Sequence, residues 1–92
     1  ATALAIRLAE LGEREQARAL AEDTLTRQRR VLGDDHTHTL ITASNLAIRL
    51  AELGEREQAR TLAEDTLTRQ RRLLGDDHTH TLATARLLED LN

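Results

Sequence analysis

The histidines of this chain occur as two His-Thr-His triplets, and imidazole is a common metal ligand in proteins. The triplets are His36-Thr37-His38 and His78-Thr79-His80. On a helix, residues i and i+2 point about 200° apart, so the two rings of one triplet do not converge on a metal ion. No carboxylate or cysteine completes a helical i, i+4 ligand set. We therefore interpret the histidines as structural residues of a junction, and we predict no metal site.

The other reactive side chains are equally isolated. Asp34-Asp35 and Asp76-Asp77 suggest calcium ligands, but the full calcium loop with its closing glutamate is absent, so we predict that these aspartates cap helices. Ser44 is the only serine and has no histidine beside it, and the chain has no lysine, cysteine or tyrosine. Because no nucleophile is paired with a base, we predict no enzyme activity and no cofactor.

Arginines cluster near the end of two predicted helices. The clusters are Arg27, Arg29, Arg30 and Arg69, Arg71, Arg72. They can be interpreted as an anion site or as a solvated face neutralised by the acidic residues just before them. We favour the solvated face, because the net charge is −3 and no aromatic side chain is present to stack on bases. We therefore predict no nucleic-acid partner.

Length and composition set further limits. At 92 residues the chain has room for one small domain, whose core must consist of leucine, alanine, isoleucine and valine. Without cysteine there is no disulfide. No apolar segment approaches the roughly 18–20 residues that span a bilayer, so we expect a cytoplasmic protein without a membrane partner.

One segment of the chain occurs twice. Leu4–Ala43 recurs as Leu46–Ala85 at an offset of about 42 residues, with differences only at Ala19/Thr61, Val31/Leu73 and Ile41/Ala83. A period of this length indicates an array of repeats, in which each unit buries its apolar face against its neighbour.

Apolar residues at helical spacing, separated by glycines, predict five helices. The first ends at Gly12 and the second at Gly33, as glycine commonly ends a helix. No segment alternates with the period of two that a strand requires. The predicted helices are residues 2–11, Glu13–Leu32, His36–Leu53, Glu55–Leu74 and His78–Leu91.

The second copy carries a resemblance to a known family. Its small and apolar residues resemble the tetratricopeptide-repeat signature: Leu46-Ala47, Leu50, Leu53-Gly54, Ala59, Leu62-Ala63 and Leu67. The junction Leu74-Gly75-Asp76-Asp77-His78, with Thr81-Leu82 after it, resembles the longer subtype of about 42 residues found in kinesin light chains. The resemblance implies an all-α, right-handed superhelical solenoid of αα-hairpins. We expect a single domain over 1–92, with repeat 1 at about 1–33, repeat 2 at about 34–75 and a C-terminal capping helix at about 76–92.

In this family the first helix of each pair lines a concave groove that binds proteins. The resemblance therefore implies a protein-interaction scaffold with a protein or peptide partner, bound at Ile6, Glu10, Ile41, Ser44, Asn45, Ile48 and Glu52. An alternative of a different class stays open: a structural or engineered consensus fragment that self-assembles and has no natural ligand. The near-identity of the two copies suits this alternative, because binding grooves usually diversify from repeat to repeat.

The ends of the array lead to two further predictions. Alignment of the copies places Ala1 level with Ala43, so the first helix lacks the turns that correspond to His36–Thr42. We expect Leu25, Val31 and Leu32 to be covered on one side only, and we therefore predict a homo-oligomer, with a dimer favoured. In the last helix the positions of Ala47 and Leu50 are occupied by polar residues, Glu89 and Asn92, which we expect to be exposed as in a terminal repeat.

Overall fold

The computed structural model describes residues 3–92, which form four α-helices. Each helix packs against the next one along the chain, and α2 also touches α4. The described residues contain no strand, so the predicted all-α class is confirmed. Ala1 and Thr2, where the first predicted helix begins, lie outside the described residues. The helices are α1 (Ala3–Val31), α2 (Thr37–Glu52), α3 (Arg56–Leu74) and α4 (Thr79–Leu91).

The prediction of five helices is wrong for residues 3–92, because α1 continues through Gly12 instead of ending there. In the second copy the chain does turn, and Gly54 takes a φ of +82°. A turn leaves the backbone groups of two helix ends without intrahelical partners, and packing must compensate for that loss. α2 provides six buried side chains for this purpose, whereas residues 3–11 provide none. A separate helix of that length is marginal in water, so the continuous helix is preferred.

The core lies where α2 meets its neighbours. Ala47, Ala59 and Ala63 are fully buried, as expected for small residues where helices cross closely. Leu25 is also buried, contrary to the expectation that it is covered on one side only, whereas Val31 and Leu32 are exposed. The main cluster consists of Leu25, Ala43, Leu46, Leu50, Ala59 and Leu91, with Ala21, Ala51, Leu62 and Leu87 packed around it.

Histidines, rather than aspartates, cap α2 and α4, so the prediction of aspartate caps is wrong. The backbone N–H of His38 donates to Nδ1 of His36 at 3.0 Å, and His80 donates to His78 in the same way at 3.1 Å. Each capping histidine stands directly before its helix with extended backbone, which is the geometry of an N-cap. The aspartates lie earlier in the loop, where Asp35 faces arginines of α3 instead.

At the other end of the chain, Glu89 and Asn92 are exposed, as predicted for a terminal helix. Their counterparts Ala47 and Leu50 lie in the core. None of the helices formed by residues 3–92 is both long enough and apolar enough to cross a membrane.

Candidate functional site

The seven residues predicted to line one groove are divided among several places. Ile48 and Glu52 lie together in a hollow between α2 and α4. Glu10 and Glu52 face a second hollow, and Asn45 faces a third. Ile6 is exposed on α1, and Ile41 is half-buried on α2.

The hollow between α2 and α4, here called the α2–α4 hollow, has a volume of about 410 Å³. Ile48 and Leu87 contribute apolar side chains, and Glu52 and Asp90 contribute carboxylates. Ile48 is 36% exposed, so it is available to a ligand. The lining residues are Ile48, Ala51, Glu52, Gly54, Arg56, Leu87, Asp90 and Leu91.

Sequence reasoning missed the α4 side of this hollow. Leu87 aligns with Asn45 and Asp90 aligns with Ile48, so both stand at positions of α4 whose counterparts on α2 were predicted to face the groove. That alignment is the signal that identifies them. The expectation that the last helix is a cap excludes α4 from the predicted binding face.

Arg56, the first residue of α3, lies at the edge of the α2–α4 hollow and forms a hydrogen bond with α4. Its Nη2 donates to the backbone carbonyl of Asp90 at 3.4 Å. The neighbouring Arg60 donates through Nη2 to the carbonyl of Leu91 at 3.0 Å. Both arginines therefore engage carbonyls of the last turn of α4, where a positive charge is favourable for the helix dipole.

The second hollow lies between α1 and α2 and has mostly charged walls. It encloses about 380 Å³ between Glu10, Glu13, Arg14 and Ala17 of α1 and Arg49 and Glu52 of α2. Arg49 forms an ion pair with Glu52 one turn later on α2. These opposite charges neutralise each other locally and leave little apolar surface for a ligand.

The third hollow, here called the α1–α2 groove, is lined by small and apolar residues of α1. Its volume is about 350 Å³. Leu20 is exposed beside it, and Asn45 faces it from α2. The lining residues are Ala17, Leu20, Ala21 and Thr24 of α1 with Thr42, Asn45 and Arg49 of α2.

Ser44 lies in a hydrogen-bonded network between helices. Its Oγ is 2.8 Å from Thr84 Oγ1, and the Nε2 of Gln70 donates to it at 3.4 Å. The Thr84 hydroxyl donates to the carbonyl of His80 at 3.1 Å, so Ser44 is the donor in its bond with Thr84. Its hydroxyl therefore connects α2 to α3 and α4.

Within residues 3–92, five of the six arginines at the helix ends, all except Arg30, are paired with carboxylates. Arg27 pairs with Asp23 at 3.1 Å, and Arg71 approaches Asp76 at 3.8 Å. Arg69 donates hydrogen bonds to two carboxylates, which raise its pKa: the bond to Asp35 has the larger effect and the bond to Asp65 the next. These residues form a surface network of ion pairs.

The side chains around the hollows are suited to contact a ligand through shape and charge. Across residues 3–92 no three histidine, cysteine, aspartate or glutamate side chains come together as a metal site. The network around Ser44 contains hydroxyl and amide groups. The α2–α4 hollow, with apolar walls and acidic groups, has the character of a binding surface.

Comparison with known proteins gives one family. The family model of the tetratricopeptide repeat matches residues 1–38 and again residues 39–80. No curated protein and no solved structure matches the chain. The two matches cover most of the sequence and agree with the helical hairpin formed by α2 and α3. The chain therefore belongs to the tetratricopeptide repeat family.

Proposed function

We propose that the chain is a non-catalytic protein-interaction module that binds a peptide segment of a partner protein in the α2–α4 hollow. The observation that carries this proposal is the pairing of Ile48 and Leu87 in one hollow, with Glu52 and Asp90 beside them. Such a surface favours a segment with one apolar anchor residue and a basic residue next to it. The apolar residue would contact Ile48 and Leu87, and the basic residue would pair with the carboxylates.

Membership of the family supports the proposal, since tetratricopeptide repeats generally mediate protein–protein interactions. We further propose the long, kinesin-light-chain-like subtype in a right-handed superhelical arrangement, in the cytoplasm. In this proposal repeat 1 covers about 1–33, repeat 2 about 34–75, and the capping helix about 76–92. The remaining predicted groove residues, Ile6, Glu10, Ile41 and Asn45, would then extend the contact surface beyond the hollow.

A displayed library of random peptides tests this proposal without knowledge of the natural partner. We expect the immobilised chain to enrich peptides that carry an apolar residue beside a basic residue. Ile48→Glu places a carboxylate in the hollow and should reduce binding of the enriched peptides at least tenfold. Leu73→Glu, at an exposed position of α3 outside the hollow, is the control and should leave binding unchanged. Equal binding of the enriched peptides to the unmodified chain, Ile48→Glu and Leu73→Glu would contradict the proposal, and so would a library with no enriched peptide.

A second candidate role is self-association, with a homodimer favoured. The observation that favours it is the apolar face of α1 before Gly12, where Leu4, Leu8 and Leu11 are all exposed. An unpartnered apolar stripe of this kind is typical of an interface. The molar mass in solution at about 0.1 mM tests this role, because a dimer with micromolar affinity is then almost fully formed. A monomer mass would contradict it.

A further inference from the structure

The same amino-acid sequence has two structures within this chain. Leu4–Arg18 and Leu46–Arg60 are identical, yet the first is straight helix and the second is a helix, a turn at Gly54 and a second helix. The difference in burial is large: Leu4 is 66% exposed and its counterpart Leu46 only 6%. Residues 3–11 of α1 are here called the arm. The first two leucines of the arm are exposed, whereas their counterparts in the second repeat are buried.

The second repeat also shows which surface this sequence covers. There Leu46 and Leu50 pack in one cluster with Ala59 of α3 and Leu91 of α4. The counterparts of Ala59 and Leu91 are Ala17 and Arg49, which both line the α1–α2 groove. Ala17 is only half-buried, whereas Ala59 is completely buried. In the second repeat, the site equivalent to the α1–α2 groove is filled by Leu46 and Leu50, which are the counterparts of Leu4 and Leu8 in the arm.

The arm does not reach its own groove, because α1 continues straight through Gly12 and carries the arm outward. We propose that two copies of the chain exchange arms, so that residues 3–11 of each copy occupy the α1–α2 groove of the other. This inference rests on the proposed self-association and names the segment that performs it. Exchange of an identical element is a low-cost route to a twofold dimer, because the contacts are those that a closed monomer would make.

A different docking mode, with α4 of another copy in the groove, fits less well. Aligned by the repeat, α4 places Glu89 where Ala47 is fully buried, and Asn92 where Leu50 is buried. Burial of a carboxylate without a partner is costly, whereas the arm offers Leu8 at the Leu50 position. The groove therefore selects the arm over α4.

Replacement of one arm leucine tests the exchange. We expect the 92-residue chain to have the mass of a dimer at about 0.1 mM by light scattering, and Leu8→Glu to reduce it to a monomer. Ile6→Glu is the matched control on the same arm: its counterpart Ile48 remains 36% exposed in the second repeat, so this variant should remain dimeric. Circular dichroism should show that both variants keep their helices, because both side chains are exposed.

The outcomes distinguish the two claims. A monomer mass for the unmodified chain would overturn both the exchange and the proposed self-association. A dimer that persists in Leu8→Glu would overturn the exchange and leave self-association in place. Neither outcome bears on peptide binding in the α2–α4 hollow, which is tested separately.

Gly12 provides a second, independent test. A closed monomer would need the positive φ that Gly54 adopts, whereas the exchanged dimer keeps Gly12 helical. Alanine favours the helix and disfavours positive φ, so the exchanged dimer should still form in Gly12→Ala. A weaker dimer in Gly12→Ala would overturn the exchange through a straight α1.

Discussion

The Nη1 atom of Arg69 lies 2.7 Å from Oδ1 of Asp35, which connects α3 to the loop between α1 and α2. Arg72 reaches the same oxygen at 3.2 Å, and Arg69 also donates through Nε to Asp65 at 3.1 Å. Asp35 is thereby held by two guanidinium groups about one turn apart on α3. This cluster connects the two ends of the helical hairpin of α2 and α3, because Asp35 precedes the hairpin and Arg69 lies near its end.

Replacement of Asp35 should weaken the fold modestly. We expect Asp35→Asn to lower the free energy of unfolding by about 0.5–1 kcal/mol, a small effect because the side chains are partly exposed. Asp77→Asn is the control, since Asp77 is the repeat counterpart of Asp35 and forms no ion pair within residues 3–92. Urea unfolding should show the difference at low ionic strength and a smaller one at high salt. Equal losses in both variants would contradict the role given to Asp35.

The two glycines with identical neighbours should respond oppositely to alanine. Gly54 has a φ of +82° and no atom near the site of an added Cβ, so Gly54→Ala should cost about 1–2 kcal/mol through backbone strain alone. Gly12 lies within the helix α1, so Gly12→Ala should stabilise by up to about 1 kcal/mol. Thermal unfolding of the two variants measures the sign of each effect. Destabilisation by both would indicate that the chain also turns at Gly12.

Buried alanines should be less tolerant than their counterparts in the first repeat. Ala59 is fully buried between helices, so Ala59→Leu should destabilise by about 1–3 kcal/mol through overpacking. Ala17 lines the open α1–α2 groove, so Ala17→Leu should cost less than about 1 kcal/mol in the isolated chain. Chemical unfolding at a concentration well below micromolar, where a dimer of micromolar affinity dissociates, makes the comparison. Equal penalties at both positions would contradict the open groove.

The hydrogen-bond network of Ser44 gives a further test. Ser44→Ala removes the acceptor of the Gln70 amide, and Gln70 is fully buried. An unsatisfied buried donor costs about 1–3 kcal/mol, so a loss of that size is expected in urea unfolding. The neighbouring Asn45 is exposed, and Asn45→Ala should change stability by less than about 0.5 kcal/mol. If both variants unfold at the same urea concentration, Ser44 does not hold the helices together.

Much of the fold could be predicted because the determining signals are local. The predicted helices His36–Leu53, Glu55–Leu74 and His78–Leu91 agree with α2, α3 and α4 to within about one residue at each end. Apolar spacing and the glycines Gly33, Gly54 and Gly75 were sufficient, because all three adopt positive φ.

The behaviour of Gly12 could not be predicted in the same way. The seven residues on either side of it are almost the same as those around Gly54, so no local rule separates the two positions. The difference comes from packing, which only the three-dimensional structure reveals. The caps were also predicted wrongly, because the aspartates were expected to cap, whereas His36 and His78 are the residues that stand directly before α2 and α4.

The candidate site was only partly accessible from sequence. The family resemblance predicts Ile48 and Glu52 as groove residues, and both line the α2–α4 hollow. Ser44 was assigned to the same groove, but its hydroxyl bonds with Thr84 and Gln70, and that arrangement depends on how three helices pack.

The central claim is that one sequence forms a straight helix at Gly12 and a hairpin at Gly54, and spin-label distances test it most directly. Cysteines replacing Arg7 and Asp23 carry labels across Gly12, and cysteines replacing their counterparts Arg49 and Asp65 carry them across Gly54. Labelled chains diluted into an excess of unlabelled chains report only distances within one chain. We predict a separation of about 24 Å between the Arg7 and Asp23 backbones along straight helix. The Arg49–Asp65 separation should be about 10 Å shorter, because packed helices lie about 8–10 Å apart. The same short distance for both pairs would contradict the account.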